Sequence, residues 1–202
     1  FTIITTQILL NSKLGILDQF KQLFTGVLGC ILFTDLAKYS VGRLRPHFLT
    51  LCNPDYNNVC FTEDAYYNVS DEQFLNEFYQ KYVNETEVCT GESNQLKEGR
   101  LSFISGHASF SFYCATFLIS YINTQTKKLK WGSTVAPYLQ FVLALLATWI
   151  SFTRIGDYYH HPSDVICGTL AGVGFALYFS GVNKIKTSKS IQLAEIVRTE
   201  EN

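Results

Sequence analysis

Hydrophobic residues are concentrated in four stretches of the chain, at about 23–37, 108–122, 135–152 and 165–182. A helix that crosses a bilayer needs about 20 mainly apolar residues. The last two stretches approach that length, whereas the first two are short enough to be core helices of a soluble protein. The fourth stretch contains Gly168-x-x-x-Gly172, a spacing that lets membrane helices pack closely. We therefore predict an all-α, polytopic bundle of transmembrane helices.

The chain begins inside an apolar run, Phe1–Leu10, and contains no Met. This run resembles the end of another span, so we expect an N-terminally truncated membrane domain that occupies 1–202 as a single unit.

A long polar segment, 48–103, separates the first two stretches. It carries ten acidic residues against three basic ones, and two glycosylation sequons that begin at Asn68 and Asn84. Residues 70–83 open with a capping box and place aromatic side chains on one face, which predicts a short amphipathic helix. We expect this segment to be an extracytoplasmic loop.

Basic residues mark the opposite side of the membrane. The link between the second and third stretches contains Lys127, Lys128 and Lys130, and the tail 184–202 begins with further lysines. Cytoplasmic segments carry such an excess of Lys and Arg. With this orientation, 38–46, 105–107 and 154–164 all lie at the outer face.

The six cysteines divide between two environments. Three lie in apolar stretches, and Cys52, Cys60 and Cys89 lie in the polar loop. In an oxidising compartment the loop cysteines allow one disulfide and one free thiol, whose pairing stays open.

The first polar cluster, 38–46, contains Lys38 and Arg45, which are two helical turns apart. We expect both on one face of a helix that ends at Pro46. Cations at this place suit phosphate oxygens, although snorkelling to lipid headgroups is the alternative.

The second cluster, Ser105-Gly106-His107, directly precedes an apolar helix. Backbone N–H groups at a helix start bind anions, and the Ser105 hydroxyl adds a donor. His107 is a candidate to protonate a departing alkoxide.

In the third cluster, Asp164 follows His160 by four residues, one helical turn. A carboxylate at that distance can fix the tautomer of an imidazole and strengthen its free nitrogen as a nucleophile. Arg154 adds a third cation. Adjacent histidines are also compatible with a metal, but the neighbouring residues do not complete a convincing ligand set. Together the clusters predict phosphoryl transfer.

These motifs resemble the three-part signature of the type 2 phosphatidic acid phosphatase superfamily. The residues around the motifs resemble those of its phospholipid (lipid phosphate) phosphatase branch. The resemblance covers about 20–182 and implies a six-helix membrane enzyme. It implies metal-independent hydrolysis of phosphatidate, lysophosphatidate, sphingosine 1-phosphate or ceramide 1-phosphate, without a cofactor, at the outer or luminal leaflet. Three positions depart from the usual pattern: Ile104, Thr153 and Pro162.

By that resemblance each candidate residue takes a role. His160 forms a phosphohistidine, Asp164 holds its ring and His107 protonates the leaving lipid alcohol. The phosphate is bound by Lys38, Arg45, Ser105, Gly106 and Arg154.

Other classes of protein also match parts of this sequence. They are a catalytically weak membrane interaction protein of the same superfamily, a phosphatase for another substrate such as glucose 6-phosphate, and a soluble vanadium haloperoxidase, which the apolar spans argue against. Charged residues make up 16% of the chain and the net charge is −1, which gives no basic field for nucleic acid. Homo-oligomerisation and the choice between plasma and internal membranes stay open.

Overall fold

The computed structural model describes residues 16–55, 88–126 and 132–200, and side chains within these ranges from 18 to 181. The described residues form six helices and no β-strand. We number the helices α1 (Ile16–Val41), α2 (Phe48–Cys52), α3 (Ser93–Gly99), α4 (Gly106–Thr126), α5 (Gly132–Gly156) and α6 (Pro162–Glu200). The predicted all-α architecture is confirmed.

Helix α4 lies at the centre of the bundle. It packs most extensively on α6, then on α5 and α1. Tyr113 and Phe117 of α4 form a core cluster with Cys30 of α1 and Ala176 of α6. Because α4 is surrounded by protein, it also accommodates buried polar side chains such as Gln125.

Three of the described helices are long and apolar enough to cross a membrane: Asp18–Val41, Gly132–Gly156 and Pro162–Gly181. They correspond to the first, third and fourth apolar stretches. Their large side chains are exposed along one flank, as lipid contact requires, including Leu32, Leu146 and Leu170. The second stretch, now α4, is the most enclosed of the four and does not reach the same hydropathy.

The glycine spacing in α6 brings two helices together. A side chain at Gly168 would collide with the backbone oxygen of Ser105, and one at Gly172 would collide with that of Ser109. Both positions therefore require glycine for the close approach of α6 to α4, as the spacing predicts.

Helix α1 ends earlier than the sequence predicts. The prediction of a helix continuing to Pro46 is wrong, because α1 stops at Val41. Gly42 adopts a left-handed conformation, with φ +60°, and its N–H donates to the carbonyl of Lys38 at 3.0 Å. This is a glycine helix stop. Lys38 thus lies on the helix, whereas Arg45 lies on the non-helical segment after it.

Helices α2 and α3 form a small unit beside the end of α1. Cys52 and Cys89 are joined by a disulfide, and Phe48 and Leu96 pack beside it. This answers the open question of pairing for two of the three loop cysteines. Cys60, the sequons at Asn68 and Asn84, the predicted helix over 70–83 and the lysines at 127–130 lie outside the described residues.

Helix α6 begins at Pro162 and continues to Glu200, so the segment predicted as a tail, 184–202, is helical as far as Glu200. Proline is favoured at the first helical position because its missing N–H has no intrahelical partner there. Pro162 is therefore compatible with the local geometry.

Candidate active site

Backbone hydrogen bonds join the three polar clusters at one end of the bundle. The N–H of Arg45 donates to the carbonyl of Gly99 at 2.8 Å, and that of Ser102 donates to the carbonyl of Arg43 at 3.0 Å. The N–H of Ser105 donates to the carbonyl of Asp164, also at 3.0 Å. The first and third clusters are thus each fastened to the loop that precedes α4.

His160 is buried at the centre of this junction, with 5% of its surface exposed. Its Nδ1 lies 2.7 Å from the backbone carbonyl of Ser102. Because a carbonyl oxygen only accepts, Nδ1 must carry the proton, which leaves Nε2 with a free lone pair. Burial lowers the pKa of His160 to about 4, more than the bond to Ser102 raises it. The imidazole is therefore neutral at physiological pH.

Asp164 is fully buried and its carboxylate is held by three donors. Its Oδ2 accepts from the hydroxyl of Ser102 at 2.6 Å and from the N–H of His161 at 2.9 Å, and its Oδ1 accepts from Arg43 at 2.6 Å. The carboxylate lies 4.0 Å from Nδ1 of His160. Asp164 thus lies beside the ring without a hydrogen bond to it, and the ring nitrogen that it was expected to hold donates instead to the carbonyl of Ser102.

The two adjacent histidines have different environments. His161 is more exposed, and its Nε2 lies 3.1 Å from the carbonyl of Leu44. The bonded nitrogen of His161 is therefore Nε2, the nitrogen that keeps its lone pair in His160. The geometry therefore separates the two histidines in favour of His160 as the nucleophile candidate.

Three cationic side chains lie near His107, and two of them, Lys38 and Arg45, also lie near His160. Lys38, Arg45 and Arg154 each have a carboxylate neighbour, at 3.5, 3.5 and 2.9 Å respectively. The Nε of Arg45 is buried and, among the described residues, has no hydrogen-bond acceptor. An unsatisfied buried donor is costly, so this N–H is suited to an arriving oxyanion.

The ring of Tyr159 lies close to both arginines of the site. The guanidinium carbon of Arg45 is 5.4 Å from the ring centroid and that of Arg154 is 5.8 Å from it, both within cation–π distance. His47 packs edge-on against the same ring at 4.9 Å. Thr153 accepts from Arg154 at 3.3 Å, so this departure from the usual pattern still supports the arginine.

The predicted anion-binding turn begins α4. Ser105 is fully buried, and its hydroxyl lies 3.4 Å from the N–H of Ala108, where it caps the helix. Lys38 extends over Gly106, where an added Cβ would lie 3.2 Å from the ammonium nitrogen. The cation of Lys38 thus approaches the start of α4 closely.

His107 lies in the first turn of α4, just before its apolar part. Burial lowers the pKa of His107 from the usual histidine value, and the charges of Arg154, Lys38 and Arg45 lower it further. These effects require that all three cations lie near the imidazole. A bound phosphate would offset their charges and favour the protonated form.

The sequence predicts the cationic and histidine residues at this end of the bundle, but it does not predict the residues that hold them in place. Ser102, Arg43, His47 and Tyr159 lie within or beside the quoted motifs, yet their spacing gives no sign of contacts to residues 58–121 positions away. In the described part of the chain, no group of three or more His, Cys, Asp or Glu side chains is arranged to hold a metal ion.

The chain belongs to the PAP2 superfamily, whose family model matches residues 20–187. Within it, the chain falls in the lipid phosphate phosphatase branch. It is 42% identical over 144 residues to phospholipid phosphatase 1 of Rattus norvegicus, covering 71% of this chain and 44% of the relative. It is 41% identical over 154 residues to phospholipid phosphatase 2 of Homo sapiens, covering 72% of this chain and 47% of the relative.

The chain thus spans a little less than half the length of these relatives. No solved structure matches it significantly. The three apolar helices and the family together support an integral membrane protein.

Proposed function

We propose that this chain carries the catalytic centre of a membrane lipid phosphate phosphatase that works through a phosphohistidine. The observation that carries the proposal is the environment of His160. Its Nδ1–H is donated to the Ser102 carbonyl, its Nε2 keeps a lone pair, and Arg45 and Lys38 are near enough to affect its pKa. A neutral, oriented imidazole beside cations is suited to attack a phosphate.

In the first step, Nε2 of His160 attacks phosphorus, and the bond from phosphorus to the lipid oxygen breaks. His107 gives its proton to that departing oxygen, which leaves as an alcohol. Lys38, Arg45 and Arg154 stabilise the charge on the remaining phosphoryl oxygens, assisted by Ser105 and the N–H of Gly106.

In the second step, a water oxygen attacks phosphorus while His107, now neutral, accepts a proton from the water. The nitrogen–phosphorus bond breaks, inorganic phosphate leaves and His160 is restored. Asp164 stabilises the ring from 4.0 Å while His160 is positively charged. The cycle needs neither a metal nor a cofactor for its atom balance.

The proposed substrates are phosphatidate, lysophosphatidate, sphingosine 1-phosphate and ceramide 1-phosphate. Support comes from the names of the relatives, phospholipid phosphatases 1 and 2, and from the position of the cations at the ends of apolar helices.

We also propose that the site faces the extracellular or luminal side, with 48–103 outside, Asn68 and Asn84 glycosylated, and 184–202 in the cytoplasm. The disulfide between Cys52 and Cys89 supports this orientation, because such bonds persist in oxidising compartments. The lysines at 127–130 and after 184 support it from the other side.

The deciding experiment compares His160→Ala with His161→Ala in purified protein. Phosphate release from phosphatidate and sphingosine 1-phosphate is measured in mixed micelles with excess EDTA. We expect His160→Ala to lose activity by at least about a thousandfold and His161→Ala to retain most of it. Activity that survives His160→Ala, or that disappears with the chelator in the unmodified protein, would rule out this mechanism.

A further inference from the structure

A cavity of about 330 Å³ opens between α1 and α4 directly beside His107. Its polar end contains Lys38, Asp35 and His107, and its walls continue along Thr34, Ser109 and Phe110. A larger cavity of about 590 Å³ lies between α1 and α6 and is lined mainly by aliphatic and aromatic side chains such as Phe33, Ile104 and Phe175. His107 lines the smaller cavity.

The direction of the reaction decides which cavity holds the leaving group. In phosphoryl transfer, the attacking and leaving atoms lie roughly in line on opposite sides of phosphorus. His160 attacks from one side, so the lipid oxygen departs on the side of its proton donor, His107. The carbon atoms attached to that oxygen therefore enter the cavity between α1 and α4.

One carboxylate lies where those carbon atoms arrive. Asp35 is half-exposed, and its Oδ1 is 3.5 Å from the ammonium of Lys38. An ionised carboxylate accepts up to about four hydrogen bonds, so this contact leaves most of its capacity available. The nearby hydroxyls of Thr34 and Ser109 are already bonded to each other at 3.0 Å and to backbone carbonyls. Asp35 is thus the acceptor with free capacity at the polar end.

Resting on the proposed function, we infer that Asp35 recognises a hydrogen-bond donor on the carbon next to the one that bears the phosphate. A hydroxyl occupies that place in lysophosphatidate, an ammonium in sphingosine 1-phosphate and an amide N–H in ceramide 1-phosphate. Phosphatidate has an ester there and offers no donor. The site consequently favours these three lipids, which carry a donor, over phosphatidate.

Asp35 also lies beside Lys38, and the test must separate this contact from recognition of the substrate. Changing it also removes a charge beside Lys38, which affects the binding of every phosphate. The ratio of kcat/KM for one substrate to that for phosphatidate, measured on the same variant, cancels this common effect and any loss of folded protein.

Two variants distinguish the kinds of donor. We expect Asp35→Ala to lower the ratios for sphingosine 1-phosphate and lysophosphatidate by about 10- to 100-fold, the size of a hydrogen bond to a charged group. Asp35→Asn is isosteric and keeps an acceptor oxygen. It should lower the ratio for sphingosine 1-phosphate, whose ammonium needs the charge, and largely keep that for lysophosphatidate.

Glu98→Ala is the matched control, because Glu98 also lies 3.5 Å from a cation of the site, Arg45, but does not line this cavity. It should change all substrates by one common factor. Ratios for Asp35→Ala and Asp35→Asn equal to those of the unmodified protein would overturn the inference. If the unmodified protein releases phosphate from none of the lipids, the proposed function itself has failed, which is a different result.

Discussion

At the scale of single residues, the site depends on contacts that hold charged groups in fixed positions. Asp164 is an example, since its buried carboxylate is bonded to Arg43, Ser102 and the N–H of His161. Ser102 contributes twice, through its hydroxyl to Asp164 and through its carbonyl to His160. Ser102 therefore links the nucleophile candidate, His160, to the buried carboxylate of Asp164.

Tyr159 provides a test of how the two arginines are held. Its ring lies 5.4 and 5.8 Å from the guanidinium carbons of Arg45 and Arg154. Each such contact is worth about 0.5–2 kcal/mol, depending on solvent exposure. We expect Tyr159→Leu to raise KM and the inhibition constant of inorganic phosphate about five- to thirtyfold, with a smaller change in kcat.

Tyr159→Phe keeps the ring and should retain near-normal kinetics. Tyr138→Leu, at an exposed tyrosine of α5 outside the site, is the matched control and should be neutral. Equal kinetics of Tyr159→Leu and Tyr159→Phe would show that the ring does not position the arginines.

The pH dependence of the reaction follows from the two histidines. The proposed mechanism requires an unprotonated His160, and burial lowers its pKa to about 4, so it would be available above that pH. The same mechanism requires a protonated His107, and burial and the nearby cations lower its pKa from the usual histidine value in the free protein. Phosphate offsets those cations and raises this pKa once substrate is bound.

Since kcat/KM reports the free enzyme and kcat the complex, we expect the alkaline limb of kcat at higher pH than that of kcat/KM. The measurement is a pair of pH profiles on a substrate whose phosphate is fully ionised over the alkaline range. Coincident limbs would contradict the assignment of His107 as the acid. His107→Gln should remove the limb along with most of the activity.

At the scale of helices, sequence patterns predict helix existence and packing better than helix ends. The apolar stretches and the glycine spacing of α6 are both found in the bundle. The end of α1 differs from the prediction because the left-handed Gly42, rather than Pro46, ends the helix, four residues earlier. That stop allows Arg43 to reach Asp164, a contact that helical spacing does not indicate.

The contact between α4 and α6 gives a prediction of its own. An added Cβ at Gly172 would lie 2.9 Å from the backbone nitrogen of Tyr113 and would collide with the carbonyl of Ser109, whereas one at Gly174 meets nothing within 4 Å. Overpacking costs about 1–3 kcal/mol. We expect Gly172→Ala to lower the thermal unfolding temperature in detergent and also the activity.

Gly174→Ala is the control on the same helix, and alanine there should be neutral or slightly stabilising because it favours the helix. The activity should fall at Gly172 because displacement of α6 also strains the bond between the Ser105 N–H and the Asp164 carbonyl. Equal unfolding temperatures for the two variants would show that α6 does not need this close approach.

At the scale of the whole molecule, charge pattern and apolar stretches were enough to predict that three distant clusters share one end of the bundle. That prediction depends only on how often the chain crosses the bilayer and on where the lysines lie. The supporting contacts of Arg43, Ser102 and Tyr159 could not be predicted in the same way. They depend on how loops fold over one another, and no periodicity in the sequence records that.

The orientation of the bundle in the membrane can be tested by labelling cysteines from one side. If the site faces outside, the disulfide between Cys52 and Cys89 lies outside as well, while the junction of α4 and α5 lies inside. Because Cys60 belongs to the same predicted outer loop, the experiment starts from the variant Cys60→Ser. In intact cells with that variant, a membrane-impermeant reductant followed by a maleimide-coupled polymer should label Cys52 and Cys89. The label should disappear when Cys52→Ser and Cys89→Ser are added. In that background Thr126→Cys, at the end of α4, should become labelled only after the cells are permeabilised. Labelling of Thr126→Cys before permeabilisation would place the lysines outside and reverse the orientation.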